Sequence, residues 1–136
     1  MSITIQARGI SAGIGSGAVL VSSEPISFLS GVDPETGVVI ESGHPLEGQS
    51  IAGKVLAFPY GKGSTVGSYV IYALRRNNMA PSAIINTEAE PIIAVGGAII
   101  AEIPMVDRPD TPIEALEEGF SASVDGSMGE ITLSDN

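Results

Sequence analysis

With 136 residues, of which 43% are hydrophobic and 16% charged, the chain suits one compact domain spanning residues 1–136. Six basic residues against sixteen acidic ones give a net charge of −10, which repels nucleic acid and anionic membrane surfaces, so neither is expected as a partner. The chain contains no cysteine, which excludes disulfides and any zinc or iron–sulfur centre held by its own thiolates, and no metal ligands are assigned within it.

Targeting and membrane segments are not predicted. The N-terminal stretch lacks a basic region followed by an apolar one. No run reaches the roughly 18 apolar residues that a membrane-spanning helix requires. A soluble cytoplasmic protein is therefore expected.

The first part of the chain predicts short strands joined by glycine-rich turns. Alternation of apolar and polar residues predicts a strand over Ile3–Gln6, and an apolar run predicts another over Ala18–Val21. The stretch Ser22–Gly53 is rich in Gly, Pro, Ser and acidic residues, which predicts a long irregular excursion around one short strand at Val38–Ile40. Long loops in compact domains are often functional.

A strand, a glycine-rich turn and a helix are predicted next. The apolar run Lys54–Phe58 predicts a strand that ends at Pro59, and a helix is predicted over about Val66–Arg76. Basic residues at the C-terminal end of this helix interact favourably with the helix dipole. Apolar residues at three- and four-residue spacing predict that it is amphipathic: Val66, Tyr69, Val70, Ala73 and Leu74.

The second part of the chain continues the alternation of strands and helices. A strand is predicted over Ala83–Asn86, and Pro91 in a first-turn position predicts a helix through about Ile100. A short strand, one or two helical turns and a terminal hairpin are predicted over Ile103–Val106, Ile113–Glu118, Ser121–Asp125 and Glu130–Leu133. This order predicts an α/β fold class with a single mixed β/β/α domain, for which a barrel-like arrangement of strands is one expectation.

The turn between the predicted strand and helix is the main candidate site. Gly61 and Gly63 let the backbone bend sharply and approach a ligand, and N–H groups at the start of a helix can bind an anion. Ser64 and Thr65 place two hydroxyl groups at the helix start, and Lys62 adds a cation beside them. Spacing alone favours an ordinary N-cap serine, which is the usual role of Ser at such a position.

Two nucleotide-binding motifs do not fit this turn. A P-loop needs glycine at position 56 and Ser or Thr at position 63, where the chain has Leu56 and Gly63. A dinucleotide fingerprint needs glycine at position 66, where the chain has Val66. Neither nucleotide hydrolysis nor dinucleotide binding is predicted.

Several segments resemble a known family. The stretch Phe58–Val70, with its Tyr-Gly-Lys-Gly-Ser-Thr sequence, resembles the signature of the aconitase X small subunit. Further similar segments are Pro25–Leu29, Gly31–Gly37, His44–Ser50 and Ala89–Ile92. The resemblance covers most of the chain and implies a domain like the swivelling domain of aconitases.

The resemblance also implies roles for residues of the turn. Ser64 matches the serine that removes the substrate proton in the aconitase loop, which implies that Ser64 is the catalytic base. Its neighbours Lys62, Gly63 and Thr65 are the candidate substrate-binding residues. The arginine of the aconitase loop has no counterpart, because Val66 stands in its place, and this implies a different substrate.

The activity implied by the resemblance is that of a hydro-lyase. It would dehydrate (R)-5-phosphomevalonate to trans-anhydromevalonate 5-phosphate in a modified mevalonate pathway of isoprenoid biosynthesis. An iron–sulfur cluster, expected to be 4Fe–4S, would act as the Lewis acid on the departing hydroxyl and would be held by a large catalytic subunit in a heterodimer. Two alternatives remain open: a non-catalytic regulatory or ligand-binding swivel domain, and the small subunit of a hydroxyproline-type dehydratase.

Other polar residues have less specific interpretations. His44, the only histidine, is expected to be a surface or loop-stabilising residue rather than a phosphoryl carrier. Arg8 and Ser11 are a candidate second anion contact. Two acidic pairs are expected to be solvated turn carboxylates rather than metal ligands: Asp33 with Glu35, and Glu88 with Glu90.

Overall fold

The computed structural model describes residues 2–90, 96–116 and 118–134, and strands are the main elements of this part of the chain. The ten strands within these residues are β1 Ser2–Gln6, β2 Arg8–Ser11, β3 Ile14–Val21, β4 Ile26–Ser27, β5 Val55–Phe58, β6 Gly61–Lys62, β7 Ala83–Asn86, β8 Met105–Asp107, β9 Ser121–Asp125 and β10 Glu130–Ser134. The helical segments are α1 Phe28–Gly31, α2 Gly67–Arg76, α3 Gly96–Ala101 and a 3₁₀ turn at Ile113–Ala115.

Eight strands form one mixed sheet in the order β1-β10-β9-β3-β5-β7-β8-β2, and β4 and β6 form a separate parallel pair. The strands β3, β5, β7 and β8 run parallel to one another, with α2 and α3 in the connections that follow β5 and β7. The predicted mixed α/β domain is confirmed. Since β1 and β2 lie at opposite ends of the strand order, the described strands do not close into a barrel.

The sheet carries an apolar core on both of its faces, because successive side chains of a strand point to opposite faces. In β5, Leu56 and Phe58 belong to the cluster that includes Leu74 of α2, whereas Val55 and Ala57 belong to the cluster on the other face. All four side chains of this strand are fully buried. Burial on both faces explains why the sequence of β5 reads as an uninterrupted apolar run.

The strands with the clearest hydrophobic patterns confirm the sequence predictions. The strands β1, β5, β7, β9 and β10 begin and end within one residue of the expected positions. The strand β2 and the first half of β3 were not predicted, because their sequence is rich in glycine. Gly15 and Gly17 occupy β3 because a side chain there would collide with the carbonyl oxygens of Ser82 and Gly53.

The excursion between β3 and β5 contains more structure than predicted. The expected strand at Val38–Ile40 consists of two isolated bridges, which pair Val39 with Val32 and Val38 with Ser50. The segment also contains β4 and α1, neither of which was predicted. These two elements place the excursion against the turn that follows β5.

Three helical predictions have different outcomes. The predicted helix after the glycine-rich turn is confirmed as α2. The second helix was expected from Pro91 through about Ile100. Its residues 91–95 lie outside the described residues, and α3 covers the rest and extends one residue further, to Ala101. The turns expected near residue 113 form the 3₁₀ segment, and residue 117 lies outside the described residues. None of the helices within the described residues has the length and apolar character to cross a membrane.

The side of α2 that is buried is not the side that the spacing of its apolar residues predicts. Gly67, Ile71 and Leu74 are buried, whereas Val66 is 48% exposed and Tyr69 is 71% exposed. Apolar residues cover more than one side of this helix, so spacing alone does not identify the stripe that packs on the sheet. The exposed remainder is a surface next to the predicted site.

Candidate functional site

The carboxyl ends of the parallel strands meet at one edge of the sheet, where open α/β sheets bind ligands. The N–H groups of Thr87 and Glu88, which follow β7, donate to the carbonyl oxygen of Pro59 at 3.0 and 3.2 Å. The fully buried Asn86 donates through Nδ2 to the carbonyl oxygen of Phe58 at 3.0 Å. These bonds fix the loop after β7 against the loop that carries the predicted site.

The predicted site lies on a short strand pair and a left-handed glycine. In the parallel pairing of β4 with β6, Ile26 lies opposite Gly61 and Ser27 lies opposite Lys62. Gly63 follows with a φ of +89°, a conformation that L side chains rarely adopt. A Cβ atom at Gly63 would lie 2.8 Å from Ser27 Oγ. Glycine is therefore required at this position for both its backbone angle and its closeness to Ser27.

The Ser64 side chain is exposed in the turn that leads into α2. Its Oγ accepts a hydrogen bond from the N–H of Val66 at 3.1 Å. The carbonyl oxygens of Ser64 and Thr65 accept hydrogen bonds from the N–H groups of Gly67 and Ser68 at 2.9 and 3.2 Å. The N-cap of α2 is Val66, which has no side-chain cap bond, and Ser64 Oγ caps the turn that leads into this helix by accepting the N–H of Val66.

These bonds limit how much the backbone can stabilise charge on the serine oxygen. Among the described residues, Val66 N–H is the backbone donor to Ser64 Oγ, because the next two N–H groups are bonded to carbonyls. Thr65 is exposed beside it. The Lys62 ammonium lies 3.4 Å from Glu41 Oε2, and both side chains are partly exposed. The positive end of α2 and Lys62 are thus the electrostatic features of this turn.

A charged network lies at the same edge of the sheet, around the fully buried Asp107. Arg8 donates through Nε and Nη2 to the two Asp107 carboxylate oxygens at 2.8 and 2.7 Å, and the N–H of Ala89 donates to Oδ2 at 2.8 Å. The exposed Glu88 accepts a hydrogen bond from Arg108 at 2.9 Å and lies 3.6 Å from Arg8. The network joins β2, β8 and the loop after β7.

The pKa values of the acidic groups reflect these contacts. Burial acts to raise the pKa of Asp107, but hydrogen bonds from Arg8 and Ala89, with the charges of Arg8 and Arg108, hold it below its ordinary value. The hydrogen bond from Arg108 lowers the pKa of Glu88. Both carboxyl groups are therefore ionised at neutral pH.

The structure gives specific roles to other residues singled out in the sequence. The Arg8 guanidinium pairs with Asp107 while its side chain is 46% exposed, and Ser11 is buried, so the anion contact expected at these two residues stays a prediction. His44 is buried and stabilises its loop: one ring nitrogen lies 3.1 Å from the Pro25 carbonyl oxygen and the other accepts the N–H of Leu46 at 3.1 Å.

The acidic pairs have other contacts in the structure. Asp33 accepts the N–H of Glu35 in a turn at 2.9 Å, as expected for a turn carboxylate, whereas Glu88 is ion-paired. No group of three or more His, Cys, Asp or Glu side chains suited to a metal ion occurs within the described residues.

The sequence analysis did not predict the ion pairs of Asp107 with Arg8 and of Glu41 with Lys62. The partners in each pair are distant in sequence.

The surface beside the turn contains a shallow apolar concavity. Tyr60, which is 47% exposed, lines a space of about 300 Å³ together with Glu88, Ala89 and Glu90. Tyr60 directly precedes Gly61, so this concavity adjoins the glycine-framed turn. Concave apolar surface next to a few polar groups is typical of small-molecule sites.

This architecture is that of a known class of domain. The aconitase X swivel domain family matches residues 4–133, and the chain belongs to this family. The crystal structure of Thermococcus kodakaraensis aconitase X in its holo-form superposes with a TM-score of 0.92 at 53% sequence identity, covering 98% of this chain and 99% of that one.

Curated relatives within this class carry a more specific name. The phosphomevalonate dehydratase small subunit of Methanosarcina acetivorans is 57% identical over 132 residues, which cover 96% of this chain and 91% of the relative. The protein of the same name from Thermococcus kodakarensis is 55% identical over 129 residues, or 95% of each chain. The similarity therefore spans nearly the full length of these small subunits.

The position of Gly63 gives a first test. Gly63→Ala and Gly48→Ala should each lower the free energy of unfolding by about 1–2 kcal/mol, because both glycines have positive φ. Gly63→Ala should cost at least about 1 kcal/mol more, since its methyl group would meet Ser27, whereas a methyl group at Gly48 meets nothing within 4 Å. Urea unfolding measures the difference, and equal losses would contradict the assigned contact.

The network around Asp107 predicts a pH dependence. Asp107→Asn should lower the free energy of unfolding at pH 7 by about 1–3 kcal/mol, because Arg8 and Ala89 lose a charged acceptor. The folded-state pKa lies below the unfolded value of about 3.9, so the carboxylate's contribution is complete above that pH and is lost as the pH falls through the folded-state pKa.

Urea unfolding between pH 7 and pH 3 would test this dependence, with the exposed Asp110→Asn as the matched control. The difference between the wild type and Asp107→Asn should stay constant down to about pH 4 and shrink below it. A difference that already shrinks between pH 7 and 5 would contradict the lowered pKa of Asp107.

Proposed function

We propose that this chain is the small subunit of a hydro-lyase that dehydrates (R)-5-phosphomevalonate to trans-anhydromevalonate 5-phosphate, with Ser64 as the proton acceptor. The observation that carries the proposal is the exposed Ser64 hydroxyl on a turn framed by Gly61 and Gly63. Support for the substrate comes from relatives of 57% and 55% identity that are named phosphomevalonate dehydratase small subunits. The reaction belongs to a modified mevalonate pathway.

The chemistry requires a base at this turn. Dehydration removes a proton from one carbon and the hydroxyl group from its neighbour, and the C–H electron pair becomes the new double bond. Ser64 Oγ takes the proton, which requires that this oxygen carry negative charge beforehand. The N–H of Val66 and the positive end of α2 stabilise that charge.

The neighbours of Ser64 bind the substrate. Lys62 supplies a positive charge, Thr65 an exposed hydroxyl group and Gly63 a backbone that a ligand can approach closely. Because the chain has a net charge of −10, a phosphorylated substrate depends on such local groups rather than on the overall field.

The site is completed by a large subunit. The chain has no cysteine, and its described residues offer no metal-binding group, so they do not fit an iron–sulfur cluster. The thiolates for such a cluster, which supplies a Lewis acid for the departing hydroxyl, come from the partner in a heterodimer. A cytoplasmic location suits a chain without disulfides.

The partner covers an exposed apolar surface that begins at the Ser64 turn. We call this surface the helix-pair face. It consists of five exposed residues: the α2 N-cap Val66, Tyr69 and Tyr72 of α2, and Ile99 and Ile100 of α3. Tyr72 and Ile100 line one groove of about 310 Å³ together with the charged residues Arg75, Arg76 and Glu102, so the two helices share a surface at that point. Its continuity with Ser64 fits a subunit that has to bring its cofactor to that residue.

Replacement of the proposed base is the direct test. In the complex with the large subunit, Ser64→Ala should lower kcat for phosphomevalonate dehydration by about 100- to 10,000-fold, because the proton acceptor is lost. The matched control is Ser127→Ala, since Ser127 Oγ also accepts a backbone N–H in an exposed turn. Circular dichroism and gel filtration would verify folding and assembly of both variants.

The outcome separates the alternatives. Turnover that survives in Ser64→Ala would favour a non-catalytic regulatory or ligand-binding swivel domain. Turnover of a hydroxyproline-type substrate by the wild-type complex, with none of phosphomevalonate, would assign the chain to the other dehydratase class. The two substrates should be assayed with the same purified pair.

The helix-pair face predicts an effect on assembly. Tyr69→Ser should weaken the affinity for the large subunit by about tenfold or more, because an exposed aromatic anchor is lost at the interface. Met128→Ser is the matched control, since Met128 is 69% exposed on the β9–β10 turn, outside the residues that define the helix-pair face. Titration calorimetry would measure both, and an unchanged affinity in Tyr69→Ser would refute this placement of the partner.

A further inference from the structure

Glu41, a residue without a role in the sequence analysis, lies against the proposed catalytic turn. Its Oε2 accepts a hydrogen bond from Lys62 Nζ at 3.4 Å. The backbone on both sides is fixed, because Ile40 N–H donates to the Gly31 carbonyl at 2.8 Å and the Glu41 carbonyl accepts His44 N–H at 3.2 Å. The Glu41 carboxylate is thus held by a rigid part of the excursion rather than by a free loop.

Space for this carboxylate is provided at the end of α1. A Cβ atom at Gly31 would lie 3.1 Å from Glu41 Oε1, which is closer than side chains normally approach. The Oε1 atom is buried and has no hydrogen-bond donor among the described residues. Glu41 is therefore held close to α1 through one carboxylate oxygen, while the other oxygen pairs with Lys62.

Lys62 retains unused capacity in this arrangement. An ammonium group has three N–H donors, and Glu41 takes one of them. By contrast, Arg8 and Arg108 are engaged with Asp107 and Glu88. The described backbone gives Ser64 Oγ a single N–H donor, so a cation at this turn would add to the stabilisation of negative charge on that oxygen.

We propose that Glu41 is a positioning residue that fixes the Lys62 ammonium at the turn that carries Ser64, so that Lys62 stabilises negative charge on the serine oxygen. The inference rests on the proposed function, because it assigns Lys62 a part in the step that Ser64 performs. In this role Glu41 need not touch the substrate. It acts through Lys62 by preventing the flexible lysine side chain from sampling other rotamers.

The position and the charge of Lys62 have separable effects. Glu41→Gln keeps the shape of the side chain but weakens its hold on the ammonium, so kcat should fall by about tenfold. Lys62 remains positively charged and is freed from a competing carboxylate, so KM for an anionic substrate should stay constant or decrease. General loosening of the turn would instead raise KM and lower kcat together.

A double-mutant cycle tests whether Glu41 acts through Lys62. The complex with the large subunit would be assayed with Glu41→Gln, Lys62→Met and the double variant, and with the exposed Glu24→Gln as a charge-matched control. In the Lys62→Met background, Glu41→Gln should change kcat by less than about twofold, because the group it positions is absent. Glu41→Asp, which restores the charge, should recover part of the loss.

Each result bears on the positioning role. A wild-type kcat in Glu41→Gln, a parallel rise in KM, or losses that multiply in the double variant would overturn it. Loss of activity in Ser64→Ala together with any of these outcomes would leave the proposed function intact and refute only the role of Glu41. Turnover that persists in Ser64→Ala would refute the proposed function itself.

Discussion

The close approach of Ser27 to Gly63 is the constraint on which the candidate site depends. The Ser27 hydroxyl fills the space that a side chain at residue 63 would need, and Gly63 adopts a left-handed conformation beside it. The chain can therefore leave β6 and turn into α2 within a few residues. Ser64 occupies the exposed part of that turn, which directly follows the β4–β6 strand pair.

Rigid neighbours keep this exposed turn in place. The buried side chains of β5 and β7 anchor the strand ends, and the hydrogen bonds from the loop after β7 to Pro59 join the two loops. On the other side, Glu41 extends from the excursion to Lys62. These contacts hold the turn without enclosing it, so the Ser64 side chain stays exposed.

The sequence predicted those parts of the fold that depend on local pattern. Buried strands such as β5 and β7 have uninterrupted apolar runs, and the terminal hairpin has clear turn residues. The contacts of Glu41 with Lys62 and of Arg8 with Asp107 join residues 21 and 99 positions apart, which no local pattern encodes. Tyr69 followed the helical spacing but is exposed, because apolar residues occupy more than one side of α2 and spacing alone does not identify the buried side.

The role of Ser64 is best tested by a structure of the assembled subunits with the phosphorylated substrate bound. Ser64 Oγ should lie within about 3.5 Å of the carbon that loses its hydrogen, with the helix-pair face against the large subunit. A substrate whose reacting carbon lies against a different side chain, with the turn of Gly63 and Ser64 facing solvent, would contradict it.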